Sequence, residues 1–173
     1  MIIIRDLVEA DLTAVQRLYA HHVLHGLATF EEELPSTAEL TARHAAIVDC
    51  GLPYLAAHLR GELAGFAYAS PYRPRSAYRC TIEDSVYVAH GLAGIGVGSA
   101  LLRALIARCE SGPWRQMLAV IGDSGNAASL ALHQRCGFRS VGTFNSVGFK
   151  LGRWVDTVLM QRALGAADTR SPD

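Results

Sequence analysis

Neither sign of charge is in excess in this sequence: 16 Lys and Arg residues balance 16 Asp and Glu residues among 173. Without a net field or a run of basic residues, neither nucleic acid nor an anionic membrane is expected as a partner. Long apolar runs are also missing, and stretches such as residues 117–121 are far too short to span a bilayer. The N-terminus lacks the layout of a signal peptide, because Arg5 and Asp6 follow three isoleucines, and we expect the chain in the cytoplasm.

Cysteine is scarce as well. The four cysteines are widely spaced and lack the paired Cys or His spacing of a zinc site, so we predict free thiols and no metal cofactor. A catalytic cysteine would need a base supplied by the fold, and the sequence suggests none.

The chain does contain enough hydrophobic residues for one domain, since half of its residues are apolar and no internal repeat divides it. We expect a domain over residues 1–164 and a flexible tail over residues 165–173. Hydrophobic periodicity and turn residues predict a mixed α/β fold with the element order βααβββαβαββ. The predicted strands cover residues 2–5, 54–59, 63–70, 82–88, 116–121 and two segments within 138–164, and the predicted helices cover 8–22, 37–49, 97–110 and 126–136.

The most informative segment is residues 85–102, SVYVAHGLAGIGVGSALL, where an extended run breaks into a glycine-rich turn and restarts as an apolar helix. Gly94, Gly96 and Gly98 lack Cβ atoms and permit positive φ, so backbone N–H groups can converge on an anion. A helix that starts near Val97 adds unpaired N–H groups and a positive dipole end. The pattern favours a phosphate-binding turn.

Two other phosphate-binding motifs fit this turn less well. Gly94, Gly96 and Ser99 lie at the offsets of a dinucleotide-binding fingerprint, but the turn lies in mid-chain and no acidic residue ends the next strand. A P-loop is excluded because no Gly-Lys-Ser/Thr sequence follows the turn.

With these residues the chain resembles the GNAT superfamily of N-acetyltransferases. Residues 93–98, AGIGVG, match the glycines of its pyrophosphate signature, although Ala93 stands where the signature has Arg or Gln. A second segment, NAAS at residues 126–129 followed by His133 and by Gly-Phe at 137–138, is similar to its coenzyme-binding turn and helix. The resemblance implies a single-domain α/β (α+β) fold, with a mixed, mostly antiparallel sheet flanked by helices, and acetyl-CoA as co-substrate. The coenzyme-binding residues that it implies are Val86, Tyr87, Val88, Ala93, Gly94, Ile95, Gly96, Val97, Gly98, Ser99, Asn126, Ser129 and His133.

Within the superfamily, the chain is similar to the phosphinothricin and the methionine sulfone or sulfoximine acetyltransferases over nearly its whole length. Three segments carry this similarity: TIEDSVYV at 81–88, GFKLGRWVD at 148–156 and TFE at 29–31. The resemblance implies acetylation of the α-amine of a small amino acid with a tetrahedral sulfur or phosphorus group, by a homodimer paired through its C-terminal strands. A different amine, such as a peptide N-terminus, a polyamine or an antibiotic, and a non-catalytic acyl-CoA-binding sensor remain as alternatives.

Acetyl transfer to an amine needs a base for the ammonium proton and a donor for the developing oxyanion. Glu83 fits the base, because an apolar sheet would raise its pKa and the similar acetyltransferases have their catalytic Glu at this position. Asp84 is adjacent, but side chains alternate along a strand, so only one of the two can face the site and we favour Glu83. The resemblance further implies that His133 protonates the departing coenzyme thiolate and that the N–H of Val88 meets the oxyanion.

The loop at residues 72–79, YRPRSAYR, holds three arginines. A guanidinium matches a carboxylate or phosphinate through two parallel hydrogen bonds, so we expect this loop to bind the amino-acid substrate. Which arginine takes that role stays open. The predicted substrate-binding residues are Phe30, Arg73, Arg75, Tyr78, Arg79 and Glu83.

Overall fold

The computed structural model describes residues 1–172, and Asp173, the last residue of the predicted tail, lies outside the described residues. The helices and strands follow the predicted order. The strands are β1 (Ile2–Asp6), β2 (Tyr54–Leu59), β3 (Glu62–Pro71), β4 (Thr81–Val88), β5 (Gln116–Gly122), β6 (Arg139–Lys150) and β7 (Arg153–Ala163). The helices are α1 (Leu12–His25), α2 (Thr37–Asp49), α3 (Val97–Glu110) and α4 (Ala127–Arg135), with short 3-10 turns at Glu9–Asp11 and Ser76–Tyr78.

Local side-chain chemistry sets several of these boundaries. At the start of α2, the Ser36 hydroxyl accepts the Glu39 N–H at 3.2 Å, while the Glu39 carboxylate accepts the Ser36 N–H at 2.7 Å. This reciprocal pair is a capping box, and it fixes the first turn of the helix. Helix α1 begins later than predicted, because the 3-10 turn at Glu9–Asp11 takes up its first residues.

The seven strands form one sheet in the order β1-β2-β3-β4-β5-β7-β6. Within residues 1–172, β4 and β5 are the only parallel neighbours, so the predicted mostly antiparallel sheet is confirmed. Helix α3 packs on one face, where a Cβ on Gly65 would meet Val97 and Leu101. Helix α1 packs on the other, where Tyr19 contacts Phe66 edge to face at 6.1 Å.

The parallel pair β4 and β5 separates part-way along its length. Only Thr81–Glu83 of β4 pair with residues of β5, although β4 continues to Val88 and β5 to Gly122. Beyond Glu83, the facing edges of the two strands have no partner in the sheet. This opening places a gap lined with backbone polar groups at the centre of the domain.

Strand β6 forms one edge of the sheet and is largely exposed. Large apolar side chains are exposed along this edge, in the turn after it and at the start of β7: Val141, Phe144, Val147, Phe149, Leu151 and Trp154. In the part of the chain that the structure describes, no helix has the length and apolar character needed to cross a membrane.

Candidate active site

A cavity of about 330 Å³ opens where β4 and β5 part. Its wall is formed by β4, the far half of β5, the segment that follows α1 and the first turns of α4. The sheet thus brings together residues that are distant in sequence. The predicted site residues on this wall are Phe30, Glu83, Val86, Tyr87, Asn126, Ser129 and His133.

Glu83 lies half-buried on the wall of this cavity, at the last residue of β4 that pairs with β5. Burial raises the pKa of its carboxyl group, and the charge of Asp84 raises it further, whereas the charge of Arg73 lowers it. The net effect is a pKa above the usual carboxyl range, and a carboxylate with a raised pKa is a stronger base. The position and the proton affinity of Glu83 therefore suit proton abstraction.

Asp84 also lines this cavity, but its side chain turns to the other face of the sheet, where it meets His133 of α4. Its Oδ2 lies 3.0 Å from Nε2 of His133, and both side chains are buried. Nδ1 of His133 lies 2.8 Å from the backbone oxygen of Ser129. Because a backbone carbonyl and an ionised carboxylate only accept hydrogen bonds, these two contacts favour the imidazolium form of His133. Burial alone would lower the pKa of His133, but the hydrogen bond and charge of Asp84 outweigh burial and raise it.

A second cleft, of about 500 Å³, runs along the glycine-rich turn between the end of β4 and helix α4. Gly94 and Gly96 have φ of 81° and 96°, and Gly96 is the N-cap of α3. The turn and the first residues of α3 thus present backbone N–H groups to the cleft, as the sequence predicts for a phosphate site. The predicted coenzyme-binding residues that line this cleft are Val86, Val88, Ala93, Gly94, Gly96, Gly98, Ser99, Asn126 and Ser129.

Two predicted coenzyme-binding residues of the turn point elsewhere. The side chain of Ile95 is 52% exposed, and Val97 is 1% exposed and packs in the core under α3. Tyr87 is also buried, in a ring cluster with Tyr19 at 4.9 Å and Phe66 at 5.1 Å. Any contribution of Val97 and Tyr87 to the coenzyme site therefore comes from their backbone or their packing.

The edge of β4 supplies free donors to the gap. The N–H of Ala89 donates to the carbonyl of Ala64 at 2.9 Å. Hydrogen-bonded and non-hydrogen-bonded residue pairs alternate along antiparallel strands, so the N–H groups of Val86 and Val88 point away from β3. These groups face the region where β4 has left β5. The carbonyl of Val88 accepts a hydrogen bond from Nε2 of His22 at 2.9 Å, which fixes the peptide that links Val88 to Ala89.

The cavity and the cleft meet at four shared residues, Ala28, Val86, Asn126 and Ser129. Asn126 caps α4, because its Oδ1 accepts the N–H of Ser129 at 3.2 Å, and it also reaches both spaces. A molecule in the cleft and a second molecule in the cavity would therefore touch at the gap in the sheet. This arrangement suits direct transfer of a group between two bound reactants.

The arginine loop lies beside the cavity rather than in its wall. Among the described residues, none of Arg73, Arg75, Tyr78 and Arg79 lines the cavity. Arg73 is the one whose charge acts on Glu83, and its guanidinium lies 5.0 Å from the ring centroid of Tyr72. Of the three arginines, the structure thus relates Arg73 to the candidate base.

The C-terminal hairpin packs against the segment that carries Phe30. This contact involves Gly148 and Lys150 of the motif at residues 148–156. Lys150, the one lysine in the sequence, is 2% exposed and donates to the carbonyl of Thr29 at 2.7 Å and of His22 at 3.3 Å. A Cβ on Gly148 would lie 2.3 Å from the ring of Phe30, so only glycine allows this packing.

Sequence reasoning missed several residues at these two sites. Tyr19 and Tyr68 line the cavity, and the hydroxyl of Tyr19 lies 2.8 Å from that of Thr29, which belongs to the TFE segment. In the sequence, Tyr19 fits the apolar face of α1, and no local signal distinguishes it from a core residue. Three histidines that line the cleft, His21, His22 and His90, were also missed.

The sequence model of the acetyltransferase (GNAT) family matches residues 11–138. The chain belongs to this family. It is 58% identical over 170 residues to a phosphinothricin N-acetyltransferase of Alcaligenes faecalis, covering 98% of this chain and 86% of the relative. It is 40% identical over 169 residues to an L-methionine sulfoximine/L-methionine sulfone acetyltransferase of Pseudomonas paraeruginosa, covering 97% and 96%.

A crystal structure shows the same GNAT fold with a coenzyme. The phosphinothricin acetyltransferase of Sinorhizobium meliloti in complex with acetyl-CoA superposes with a TM-score of 0.95 at 44% identity, over 99% of this chain and 93% of that one. This GNAT chain is an N-acetyltransferase with acetyl-CoA as co-substrate, which sets aside the alternative of a non-catalytic sensor. Its glycine turn, cleft and free β4 edge fit the phosphates and the arm of such a coenzyme.

Proposed function

We propose that this enzyme transfers the acetyl group of acetyl-CoA to the α-amine of a small amino acid with a tetrahedral sulfur or phosphorus side group, such as phosphinothricin, methionine sulfone or methionine sulfoximine. The observation that carries the proposal is the position of Glu83, a carboxyl group with a raised pKa in a small cavity that opens onto the coenzyme cleft. The two relatives that act on such amino acids support the choice of substrate.

In this mechanism Glu83 takes a proton from the ammonium group of the amino acid, which leaves a neutral nitrogen with a lone pair. The nitrogen attacks the thioester carbonyl, and the N–H of Val88 stabilises the charge that develops on the oxygen. The C–S bond then breaks, the coenzyme leaves as a thiolate, and the nitrogen releases its second proton to water as the neutral amide forms. The N–H of Val88 points toward the gap between β4 and β5, which supports its role as the donor to the oxyanion.

His133 supplies the proton that the thiolate takes up. Asp84 keeps the imidazole protonated, so a proton is stored beside the gap. The hydroxyl of Ser129, which lines both the cavity and the cleft, lies 3.4 Å from Nδ1 of His133. We infer that Ser129 passes the proton of the buried His133 to the sulfur and receives one from the ring in return.

The cavity is small, and aromatic and polar side chains form its substrate end. Phe30 and Tyr68 shape it, and the Tyr19 and Thr29 hydroxyls provide polar contacts. Arg73 is the proposed partner of the substrate's anionic groups, since its charge already acts on Glu83. Arg75, Tyr78 and Arg79 complete the same loop and stay proposed substrate contacts that would require the loop to fold over the cavity.

A thiol-release assay tests the substrate class. Acetyl-CoA is mixed with L-methionine sulfone, L-methionine sulfoximine, L-phosphinothricin, L-methionine, spermidine or a peptide with a free N-terminus, and the liberated coenzyme thiol is measured. We expect turnover with the first three compounds, whose side groups are tetrahedral. Turnover with spermidine or the peptide alone would contradict the proposed substrate.

The Glu83→Gln variant tests the base. Its kcat should fall by about 100-fold or more, the scale of a lost general base, while acetyl-CoA binds as to the parent enzyme. Glu62→Gln, in the exposed hairpin turn at the start of β3, is the matched control and should keep full turnover. Equal turnover in Glu83→Gln and the parent enzyme would show that another group takes the proton.

We further propose that the enzyme is a homodimer joined through β6. An exposed edge strand of 12 residues that carries several large apolar side chains favours pairing with a second copy across a two-fold axis. Light scattering after size exclusion should give the mass of a pair, and Val147→Asp should give the mass of one chain. Leu24→Asp, on the exposed face of α1, is the control and should stay paired. A parent protein with the mass of one chain at all concentrations would overturn this proposal.

A further inference from the structure

Four histidines form a cluster at one wall of the coenzyme cleft. His21, His22 and His25 come from the last turns of α1, and His90 follows β4. The ring of His21 lies 4.2 Å from that of His90, 5.5 Å from that of His25 and 5.9 Å from that of His22, measured between centroids. His21, His22 and His90 line the cleft on the side of the glycine turn.

The glycine turn supplies little side-chain positive charge to the cleft. Residues 89–98, AHGLAGIGVG, contain no Arg or Lys, so His90 is the one side chain of the turn that can carry positive charge. Among the described residues that line the cleft there is no carboxylate, and the one arginine is Arg135 on α4. On the side of the turn, apart from His90, only backbone N–H groups would face the anionic pyrophosphate of the coenzyme.

Basic groups surround the cluster, and the charges of Glu31 and Glu32 act on Lys150. Arg17 lies one helical turn before His21 on α1, Arg135 stands across the cleft, and the ammonium group of Lys150 lies near His22. Burial lowers the pKa of His21, and the charges of His90 and His25 lower it further. Burial also lowers the pKa of His22. A lowered pKa means that His21 and His22 release their protons more readily, and a bound anion favours the protonated form.

His22 is committed to another contact. Its Nε2 donates to the carbonyl of Val88 at 2.9 Å, and its own carbonyl accepts from Lys150. His25 is exposed and does not line the cleft. The two rings left to face a ligand are those of His21 and His90, and they lie against each other.

We propose that His21 and His90 bind the pyrophosphate of acetyl-CoA as a pair of imidazolium groups, and that the coenzyme therefore takes up protons from solvent when it binds. An imidazolium donates charge-assisted hydrogen bonds to phosphate oxygens, whereas a neutral imidazole next to a second one donates weaker bonds. Coenzyme binding is consequently tighter at pH 6 than at pH 8.

Calorimetric titration of the whole protein tests this proposal with coenzyme A and with 3′-dephospho-coenzyme A as probes. Each probe is titrated at pH 6, 7 and 8, and at pH 7 in two buffers of different ionisation enthalpy, which reports protons taken up. The parent protein should bind both probes about tenfold more weakly at pH 8 than at pH 6, and should take up protons.

Three variants separate a charge effect from a packing effect. The double variant His21→Gln/His90→Gln should bind both probes about tenfold more weakly at pH 6, with little dependence on pH. The variant His90→Lys carries a charge that does not titrate in this range, and should bind tightly at both pH 6 and pH 8. His25→Gln removes a histidine of the same cluster that lies outside the cleft, and should behave as the parent protein does.

Three results would overturn the proposal. The first is a double variant with the affinity and the pH dependence of the parent protein, or a parent protein that takes up no protons. The second is an effect that disappears with 3′-dephospho-coenzyme A, which would assign the histidines to the 3′-phosphate. The third is weak binding of both probes by His90→Lys at pH 6 and at pH 8. This variant still tests the proposal if the double variant fails to fold.

Discussion

The imidazole of His133 donates through Nε2 to Oδ2 of Asp84 at 3.0 Å, and the two side chains are 5% and 2% exposed. This contact joins residues 49 positions apart and ties α4 to β4. Removing one partner of a buried ion pair leaves the other charge without compensation, which is more costly than losing an exposed pair. The pair therefore links the stability of the domain to the position of the helix that carries Asn126 and Ser129.

Asp84→Asn should lower the free energy of unfolding by about 3 kcal/mol in urea titrations near pH 6. The pKa of folded His133 lies above its ordinary 6.5, so the contribution of the pair is complete below pH 6.5 and is lost as pH rises through the folded-state pKa. The loss caused by Asp84→Asn should accordingly shrink at higher pH. Asp6→Asn, which breaks the exposed pair with Arg108 at 2.9 Å, is the control and should cost little. Equal losses in the two variants would argue against a buried ion pair.

The acidic limb of the pH–rate profile should move in opposite directions in two variants near Glu83. Activity requires the ionised carboxylate, so kcat/KM rises with pH through the raised pKa of Glu83. Asp84→Asn removes a negative charge and should shift this limb to lower pH, whereas Arg73→Gln removes a positive charge and should shift it to higher pH. Shifts of the same sign in the two variants, or no shift in either, would show that a group other than Glu83 determines the acidic limb.

Lys150→Met should weaken binding of the amino acid more than binding of the coenzyme. The change leaves the carbonyls of Thr29 and His22 without their donor and frees the segment that carries Phe30. We expect a loss of about 2 kcal/mol in the free energy of unfolding and a raised KM for the amino acid. The matched control is Arg153→Met. Arg153 lies on the same hairpin and forms an exposed ion pair with Asp123 at 3.2 Å. A KM equal to that of Arg153→Met would remove the proposed role of Lys150.

Gly96→Ala and Gly98→Ala should differ in coenzyme affinity. Gly96 has φ of 96°, a conformation that alanine adopts only with strain, so Gly96→Ala should distort the turn and weaken coenzyme binding by about tenfold. Gly98 lies inside α3, and a Cβ there would meet Leu132 at 3.3 Å and Val88 at 3.5 Å, which small shifts can absorb. Gly98→Ala should therefore bind nearly as the parent does. Equal losses in the two titrations would indicate that space, rather than backbone conformation, limits this turn.

The candidate base and the coenzyme turn could be predicted because each is a local pattern. Strand alternation narrows the candidate base to one of Glu83 and Asp84, and the resemblance to the similar acetyltransferases favours Glu83. The turn follows from closely spaced glycines before an apolar helix, and two of these glycines have positive φ in the structure. The arginine loop shows the limit of such reasoning. Its composition predicts anion binding, but only the folded chain relates Arg73 rather than its neighbours to Glu83.

By itself, the sequence determined the order of elements, the capping box of α2 and the phosphate-binding turn, because these depend on neighbours within a few residues. The tertiary structure decided what those elements meet. The separation of β4 from β5, the pairing of Asp84 with His133 and the contact of His21 with His90 all join distant segments. Such contacts follow from strand register and helix packing across the whole sheet, and no local pattern of residues encodes them.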